Sequence, residues 1–263
     1  PTFSVLYDKE DSFVGGAAIV ALHMKAAGAK VKFTTVVSND KKGKFVKKEL
    51  KKNKIQCNFF DEKNRPTTNK NTFISSSYRL LKVDTLSNAP ISEYTLSKIL
   101  DKIKKEKTQL TIFSDFRHGI FNPSSIQKLI KAIPKKSFKA GDSQVASRWG
   151  NITEFKNFDL ITPNEKEARF SLADQDSTVG KLSGMLYDKT NYKNLILKLG
   201  SRGIFCIDGK DKKRIPFSIG VFTENILDAV GTGDALLAYS SLSLKVSNSL
   251  VKASIIGSFA ASC

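Results

Sequence analysis

Asp228-Ala229-Val230-Gly231-Thr232-Gly233-Asp234-Ala235 is the stretch that decides the fold, because a glycine-rich turn here leads straight into an apolar helical run. Gly231 and Gly233 can adopt backbone angles that are closed to other residues, so their N–H groups can converge on one point. The helix that follows presents unpaired N–H donors and the positive end of its dipole, which together bind anions. Asp234 falls in its first turn, where a carboxylate is favoured. The stretch predicts an anion hole beside a base, which suits phosphoryl transfer to a hydroxyl; a turn merely capped by Asp234 is the alternative.

Two segments that precede this turn carry further candidate ligand groups. Gly15 and Gly16 open a helix of small residues, and a glycine pair lets the backbone approach a ligand or a neighbouring element closely. Asn164 and Glu167 follow a short apolar strand and share one face of a first helical turn. Their oxygen atoms suit Mg²⁺, which keeps several of its waters. A capping box between the same two side chains is the alternative, and both can hold at once.

A third segment, residues 194–205, is predicted to be a strand, a Gly-x-x-Gly turn and a second strand. Gly200 and Gly203 provide the turn, and Lys198 stands near the end of the first strand. Lys198 is either a phosphate contact or an ordinary solvated lysine.

The turn and these three segments resemble the signatures of the ribokinase-like, phosphofructokinase-B (PfkB) family of carbohydrate kinases, in the family's order and over essentially the whole chain. The family's turn usually reads Asp-Thr-x-Gly-Ala-Gly-Asp, so Ala229 and Thr232 are departures. Both are compatible with a hole that is built from backbone. The family's Gly-Gly-Ala-x-Asn-x-Ala motif corresponds to the segment around Gly16, but Ile19 stands near the place of the asparagine.

The resemblance implies a role for each candidate residue. Asp234 would be the base, and Gly231, Thr232 and Gly233 would form the anion hole. Asn164 and Glu167 would organise Mg²⁺ through water, and Asp228 would neighbour a monovalent cation such as K⁺. Lys198, Gly200 and Gly203 would approach the phosphates of ATP. The residues expected to contact the acceptor are Gly15, Gly16, Asp115, Arg79 and Lys82. A solvated strand face is the alternative for Arg79 and Lys82, and a strand-end cap is the alternative for Asp115.

Alternating strand and helix patterns predict an α/β fold with a mostly parallel sheet and helices on both faces. The predicted strands are residues 31–37, 110–114, 158–162 and 195–199, and helical patterns occupy 45–50, 96–103 and 126–133. Ligands of such folds bind beyond the carboxyl ends of the strands, where the motifs lie. Asp115 ends one of these strands, so it is expected at the same edge.

Residues 55–84 are expected to form a small β-lid over the acceptor site, with short strands at 57–60, 72–76 and 78–83. In the family such lids often pair two subunits, so a homodimer through the lid is expected. Pro66-Thr67-Thr68, the run from Arg79 to Asp84, and Asp142-Ser143-Gln144 resemble heptose 7-phosphate kinase-like members. The resemblance favours a heptose 7-phosphate-like acceptor. Two alternatives stay open: a catalytically silent sugar-phosphate or nucleotide-binding module, and a kinase for a nucleoside, vitamin or aldonic acid.

Composition limits the class of protein. The 263 residues suffice for one kinase domain with a minor lid, which we expect to be shortened at both ends relative to the family. Such a domain could be fused to a nucleotidyltransferase. Three cysteines without metal-type spacing favour a reducing compartment, the cytoplasm. No apolar run is long enough for a membrane span.

The net charge of +18 meets a first criterion for binding nucleic acid. The lysines, however, are spread along exposed helix faces without interleaved aromatic residues. We therefore expect no nucleic-acid partner. The positive potential would instead attract anionic small molecules.

Overall fold

The computed structural model describes residues 4–76, 78–144, 150–211, 213–223 and 230–263. Within them the helices are α1 (Ala17–Ala26), α2 (Lys41–Lys52), α3 (Glu93–Lys105), α4 (Ile126–Ala132), α5 (Glu165–Leu172), α6 (Val179–Thr190), α7 (Thr232–Ser247) and α8 (Leu250–Ser262). The strands are β1 (Lys32–Val36), β2 (Gln56–Phe60), β3 (Asn69–Ser75), β4 (Tyr78–Thr85), β5 (Leu110–Asp115), β6 (Phe138–Ser143), β7 (Leu160–Ile161), β8 (Asn194–Lys198), β9 (Ile204–Asp208) and β10 (Phe217–Ile219). Every strand and helix predicted in the body of the fold is present, with ends that differ by one to a few residues.

The main sheet has six strands in the order β10-β9-β8-β7-β6-β5. Neighbours from β5 to β8 are parallel, whereas β9 and β10 are antiparallel. Consecutive residues of a strand face opposite sides of the sheet. On β8, Leu195 and Leu197 pack into the core under helices α3 to α6, and Ile196 packs into the core under α1, α7 and α8. The mostly parallel sheet with helices on both faces is therefore confirmed.

The predicted lid differs from the structure at its first strand. Residues 57–60 lie in β2, which pairs in parallel with β1 across helix α2 and takes no part in the lid. Leu50 and Ile55 are buried at the turn between α2 and β2, which draws this strand into a β-α-β unit. The antiparallel hairpin of β3 and β4, from Asn69 to Thr85, is the remaining part of the predicted lid.

Two charged side chains fix the root of this hairpin. The carboxylate of Asp40 caps helix α2 by accepting from the N–H of Gly43 at 2.7 Å, and it also accepts from the N–H of Thr67 at 2.8 Å. The Arg65 guanidinium donates to four carbonyl groups, those of Ser87, His118, Ala89 and Pro90. Both legs of the hairpin are thus tied to the body of the molecule.

No helix in the described part of the chain is long and apolar enough to cross a membrane.

Helices α7 and α8 approach each other closely at Gly257. An added Cβ there would lie 1.9 Å from the Oγ of Ser240, a buried residue on α7. We expect Gly257→Ala to lower the free energy of unfolding by about 1–3 kcal/mol, because α7 and α8 would have to separate. Gly184→Ala on helix α6 is the matched control, since an added Cβ there meets nothing within 4 Å. It should be neutral or should stabilise by up to about 1 kcal/mol. Denaturant titration would measure both, and equal effects would contradict this account of the packing.

Candidate active site

The carboxyl ends of the parallel strands open onto a cleft of about 2960 Å³. Most residues that the sequence singled out lie along it: Gly15, Gly16, Arg79, Lys82, Asn164, Glu167, Lys198, Gly200, Gly231, Thr232, Gly233 and Asp234. The lid hairpin forms one side, and the N-terminus of α7 forms another. Sequence segments more than 200 residues apart therefore meet at one edge of the sheet, as the motifs predicted.

The glycine turn begins helix α7 in the predicted manner. Gly231 is the N-cap residue with φ of 89°, a value that favours glycine, and its carbonyl accepts from the N–H of Ala235 at 2.9 Å. Asp234 lies in the first turn and is only 8% exposed. Its Oδ1 atom has no hydrogen-bond partner among the described residues. A buried carboxylate with an unused acceptor atom beside a helix N-terminus is well placed to take a proton from a bound hydroxyl.

The surroundings of Asp234 change its ionisation. Burial, and to a smaller extent the negative charge of Asp142, raise the pKa of Asp234 to about 6, against the opposing effect of Lys198. A general base works best when its pKa lies near the working pH, because it is then both ionised and basic. Asp234 meets that condition near neutral pH.

Lys198 crosses the end of the sheet from β8 and ends beside helix α7. Its Nζ lies 2.8 Å from Oδ2 of Asp142 and 3.3 Å from the point where a Cβ of residue 233 would stand. Burial alone would lower the pKa of Lys198, but Asp142, Glu167 and Asp234 outweigh that effect and leave it raised. Lys198 is therefore a largely buried cation, with 16% of its side chain exposed, and it is held by carboxylates. A solvated surface lysine does not describe it.

Asn164 and Glu167 form the capping box that the sequence offered as one interpretation. The side chain of Asn164 accepts from the N–H of Glu167 at 2.8 Å, and the Glu167 carboxylate accepts from the N–H of Asn164 at 2.7 Å. Both residues also line the cleft. The box fixes the direction of both side chains, and their predicted contact with Mg²⁺ stays a prediction.

Two predicted site residues lie behind the wall of the cleft. An added Cβ on Gly203 would lie 2.1 Å from the Ile219 carbonyl, so this glycine lets β10 approach the turn. Asp115 is fully buried; its carboxylate accepts from the Ser143 hydroxyl at 2.9 Å and pairs with the Arg117 guanidinium at 2.7 Å. The sequence placed Asp115 at the right sheet edge but could not show that Arg117 and Ser143 occupy its carboxylate. Direct contact between Asp115 and an acceptor does not follow from this placement.

The sequence analysis missed Lys70, a lid cation that faces the cleft. In the register of the two strands, Lys70 lies opposite Asp84 and Thr72 lies opposite Lys82. These four side chains therefore share one face of the hairpin. The Lys70 Nζ lies 5.9 Å from the ring centre of Phe116, which also packs beside Gly16. Burial and then the nearby Lys82 lower the pKa of Lys70, against the effect of Asp84. The polar face of the hairpin thus brings positive charge to the cleft.

Asp228, predicted to neighbour a monovalent cation, lies outside the described residues.

The end of the cleft beside the N-terminus of α7 has the charge that a divalent cation requires. Asp142, Glu167 and Asp234 supply three carboxylates near the one ammonium group of Lys198. One oxygen each of Asp142 and Asp234 has no hydrogen-bond partner in the described ranges. The described residues contain no cluster of three or more His, Cys, Asp or Glu side chains that could hold a metal alone. These groups fit Mg²⁺ bound mainly by phosphate and water oxygens.

A glycine turn at a helix N-terminus, a buried carboxylate in that helix and a mostly parallel sheet together define a ribokinase-like sugar kinase. Residues 9–263 match the model of the pfkB family carbohydrate kinases, and the chain belongs to this family.

Curated relatives and solved structures agree with this assignment. The chain is 26% identical over 267 residues to the bifunctional protein HldE of Nitratiruptor sp., a match that covers 99% of the chain and 55% of that relative. It is 30% identical over 237 residues to the protein of the same name from Campylobacter jejuni subsp. doylei, covering 88% of the chain and 48% of the relative. The chain thus spans about half the length of these relatives.

The fold is similar to that of two solved kinases. Phosphofructokinase-2 from Escherichia coli matches with a TM-score of 0.79 at 16% identity, over 98% of this chain and 87% of that one. Ribokinase from Giardia lamblia matches with a TM-score of 0.72 at 14% identity, over 93% of this chain and 80% of that one. At these identities the likeness shows the fold alone.

Replacing Asp234 with Asn should stabilise the protein at high pH. The pKa of this carboxyl is about 6 in the folded chain against an ordinary value of 3.8, so its ionisation opposes folding above pH 6. The penalty fades as pH falls from 6 towards 4, where the folded-state group is protonated. We expect the variant to gain on the order of 2–3 kcal/mol in unfolding free energy at pH 8 and nothing near pH 4. Denaturant curves without ligand would test this, with the exposed Asp101→Asn as control; a gain that does not change with pH would contradict it.

Proposed function

We propose that the protein transfers the γ-phosphoryl group of ATP to a hydroxyl of a sugar or sugar phosphate, with a heptose 7-phosphate-like acceptor favoured. The observation that carries this proposal is Asp234, buried at the N-terminus of α7 with an unused carboxylate oxygen and a pKa of about 6. Family membership supports sugar phosphorylation in general. The acceptor class rests on the lid.

In the proposed step, Asp234 removes the proton of the acceptor hydroxyl as its oxygen attacks the γ-phosphorus in line. The new O–P bond forms while the bond from that phosphorus to the β–γ bridging oxygen breaks, and ADP leaves. The N–H groups of Gly231, Thr232 and Gly233 face the charge that collects on the transferred group. Lys198 adds a positive charge at the same helix end.

Asn164 and Glu167 would hold the hydrated Mg²⁺ of the nucleotide, which would neutralise phosphate charge near Asp142 and Asp234. Without such a cation, the carboxylates at this end of the cleft would repel a polyphosphate. Lys198 and Gly200 would lie along the phosphate chain. We place K⁺ beside Asp228 only by resemblance to the family.

The lid supports an acceptor that carries a phosphate. Lys70 and Lys82 face the cleft from one side of the hairpin, and Arg79 also lines it. Lysine and arginine are the usual partners of phosphate groups. Gly15 and Gly16 precede α1, with Gly16 beside Phe116, and would border the sugar between this cluster and Asp234. The resemblance of the lid to heptose 7-phosphate kinase-like members points to the same acceptor class.

Proposals about the whole protein rest on the relatives and on the surface. The relatives are named bifunctional and are about twice as long, which supports a nucleotidyltransferase fused to this single kinase domain. The face of the hairpin opposite Lys70 and Lys82 exposes Phe73, Leu81 and Val83, which suits a homodimer formed through the lid. Three free cysteines suit the cytoplasm. We propose neither a nucleic-acid nor a membrane partner.

The first experiment measures ADP release by the full-length protein with ATP and Mg²⁺ across hexoses, ribose, heptose 7-phosphate, a nucleoside and an aldonic acid. We expect acceptor-dependent release, greatest with a phosphorylated sugar, and a kcat about 10²–10⁴-fold lower in Asp234→Asn, because the base is lost. ATP affinity should change little.

Each other result has a definite meaning. Turnover that survives in Asp234→Asn would remove this residue from the role of base. Bound ATP with no ADP release for any acceptor would favour the silent binding module. ADP release only with the nucleoside or the aldonic acid would assign the acceptor to that class instead of the sugar phosphates.

Lys82 offers a test of the phosphate-bearing acceptor. We expect Lys82→Met to raise KM for the phosphorylated sugar by about tenfold with little change in kcat, because it removes a contact that substrate and transition state share. KM for ATP should stay constant. Lys51→Met, on the exposed face of α2, is the control and should behave as the parent. An unchanged KM for the phosphorylated acceptor would place the phosphate elsewhere.

A further inference from the structure

Asp142 is a buried acid at the edge of the site that neither the glycine turn nor the capping box includes. It is the second-to-last residue of strand β6 and is 1% exposed, beneath the Lys198 side chain. Strand β7 separates β6 from β8, so Lys198 reaches across the end of β7 to make its 2.8 Å contact with Asp142. A long side chain spanning an intervening strand to one buried carboxylate has its ammonium group fixed in one place.

That place is the N-terminus of helix α7. The Lys198 Nζ would be 3.3 Å from a Cβ on residue 233, inside the turn that would hold the transferred phosphoryl group. A helix N-terminus carries partial positive charge, which disfavours a cation. Opposite charges must therefore hold the ammonium there, and those that face it are Asp142 from β6, Glu167 from α5 and Asp234 from α7.

These three carboxylates differ in the other roles that they have at the site. Glu167 is committed to the capping box with Asn164. Asp234 must keep its charge for a hydroxyl proton, and a direct ion pair with Lys198 would make it a poorer base. Asp142 contacts Lys198 at 2.8 Å and has no part in the proton transfer.

We propose that Asp142 is a positioning residue that anchors the ammonium group of Lys198 at the N-terminus of α7, so that this cation serves the transferred phosphoryl group and does not pair with Asp234. The inference rests on the proposed function and adds a residue to it. In Asp142→Asn the ammonium loses its anchor, and Glu167 and Asp234 remain as the carboxylates that attract it.

The test compares Asp142→Asn with the parent enzyme in kcat, in KM for ATP and in the pH dependence of turnover. We expect kcat to fall by about 10–100-fold, as when a group that orients a functional side chain is removed. KM for ATP should change less than kcat. The acid limb of the kcat profile should move down by about one pH unit, because Asp234 loses a negative neighbour and gains a positive one. Asp142→Glu should restore part of kcat.

A control and a mutant cycle separate this role from a loss of folding. Asp159 pairs with Lys193 at 2.7 Å before β7, outside the cleft, so Asp159→Asn should keep the parent's kcat and acid limb. Lys198→Met removes the group on which Asp142 acts, so adding Asp142→Asn to it should cause no further loss of kcat. Thermal unfolding of every variant fixes the folded fraction.

Two results would overturn the proposal. One is a kcat in the double variant that falls by the product of the two single effects, and the other is an acid limb of the kcat profile that stays at the parent's pH in Asp142→Asn. Failure of the proposed function looks different, since the parent enzyme would then release no ADP with any acceptor. In that case the same cycle, measured as binding of a non-hydrolysable ATP analogue with Mg²⁺, still decides the anchoring. Independent effects on affinity would reject it, and an effect of Asp142→Asn that vanishes in Lys198→Met would support it.

Discussion

The end of the cleft beside α7 depends on one largely buried ammonium group, that of Lys198. Asp142, Glu167 and Asp234 come from three different elements, and burying three carboxylates together without a cation would be prohibitive. The positive charge of Lys198 offsets the repulsion among these carboxylates, and its contact with Asp142 ties strand β6 to strand β8. It also limits what can stand at position 233, because any side chain there would meet the ammonium. The need for glycine in this turn is therefore conformational at Gly231, where φ is 89°, and steric at Gly233.

Charge is distributed unevenly between the whole chain and the two ends of the cleft. The chain as a whole carries +18, yet the end of the cleft near α7 holds more carboxylates than cations. The positive charge that faces the cleft lies instead on the hairpin, at Lys70 and Lys82. In the proposed function, an anionic acceptor and a magnesium-bound nucleotide would meet different electrostatic environments at the two ends of one cleft. This separation would suit an enzyme that binds two phosphorylated molecules and exchanges one group between them.

Local sequence signals predicted the parts of this site that are local in structure. The left-handed Gly231, the first-turn position of Asp234 and the capping box of Asn164 and Glu167 each follow from a few adjacent residues. Contacts between residues that are distant in the chain could not be predicted from such local signals. The Asp142–Lys198 pair spans 56 positions, and nothing near either residue indicates the other.

Two further differences have the same origin. Asp115 ends its strand as expected, but Arg117 and Ser143 occupy its carboxylate from the neighbouring turn and strand. Residues 57–60 form a strand as expected, yet burial beside α2 pairs it with β1 and not with the lid. A strand can be predicted from its own residues, whereas its partner strand depends on contacts with the rest of the chain.

The root of the hairpin gives the molecule an unequal response to acid. Arg65 gathers four carbonyl groups through a guanidinium that stays charged throughout the physiological range. Burial opposes it, but hydrogen bonds from Thr67 and Gly43 keep the pKa of Asp40 below its ordinary value, so this second tie survives moderate acid. Asp234, by contrast, changes its charge near pH 6. If Asp234 is the base, as proposed, mild acidification would lower turnover while both ties of the hairpin persist, so that the anchoring of the hairpin and the proton transfer would titrate independently.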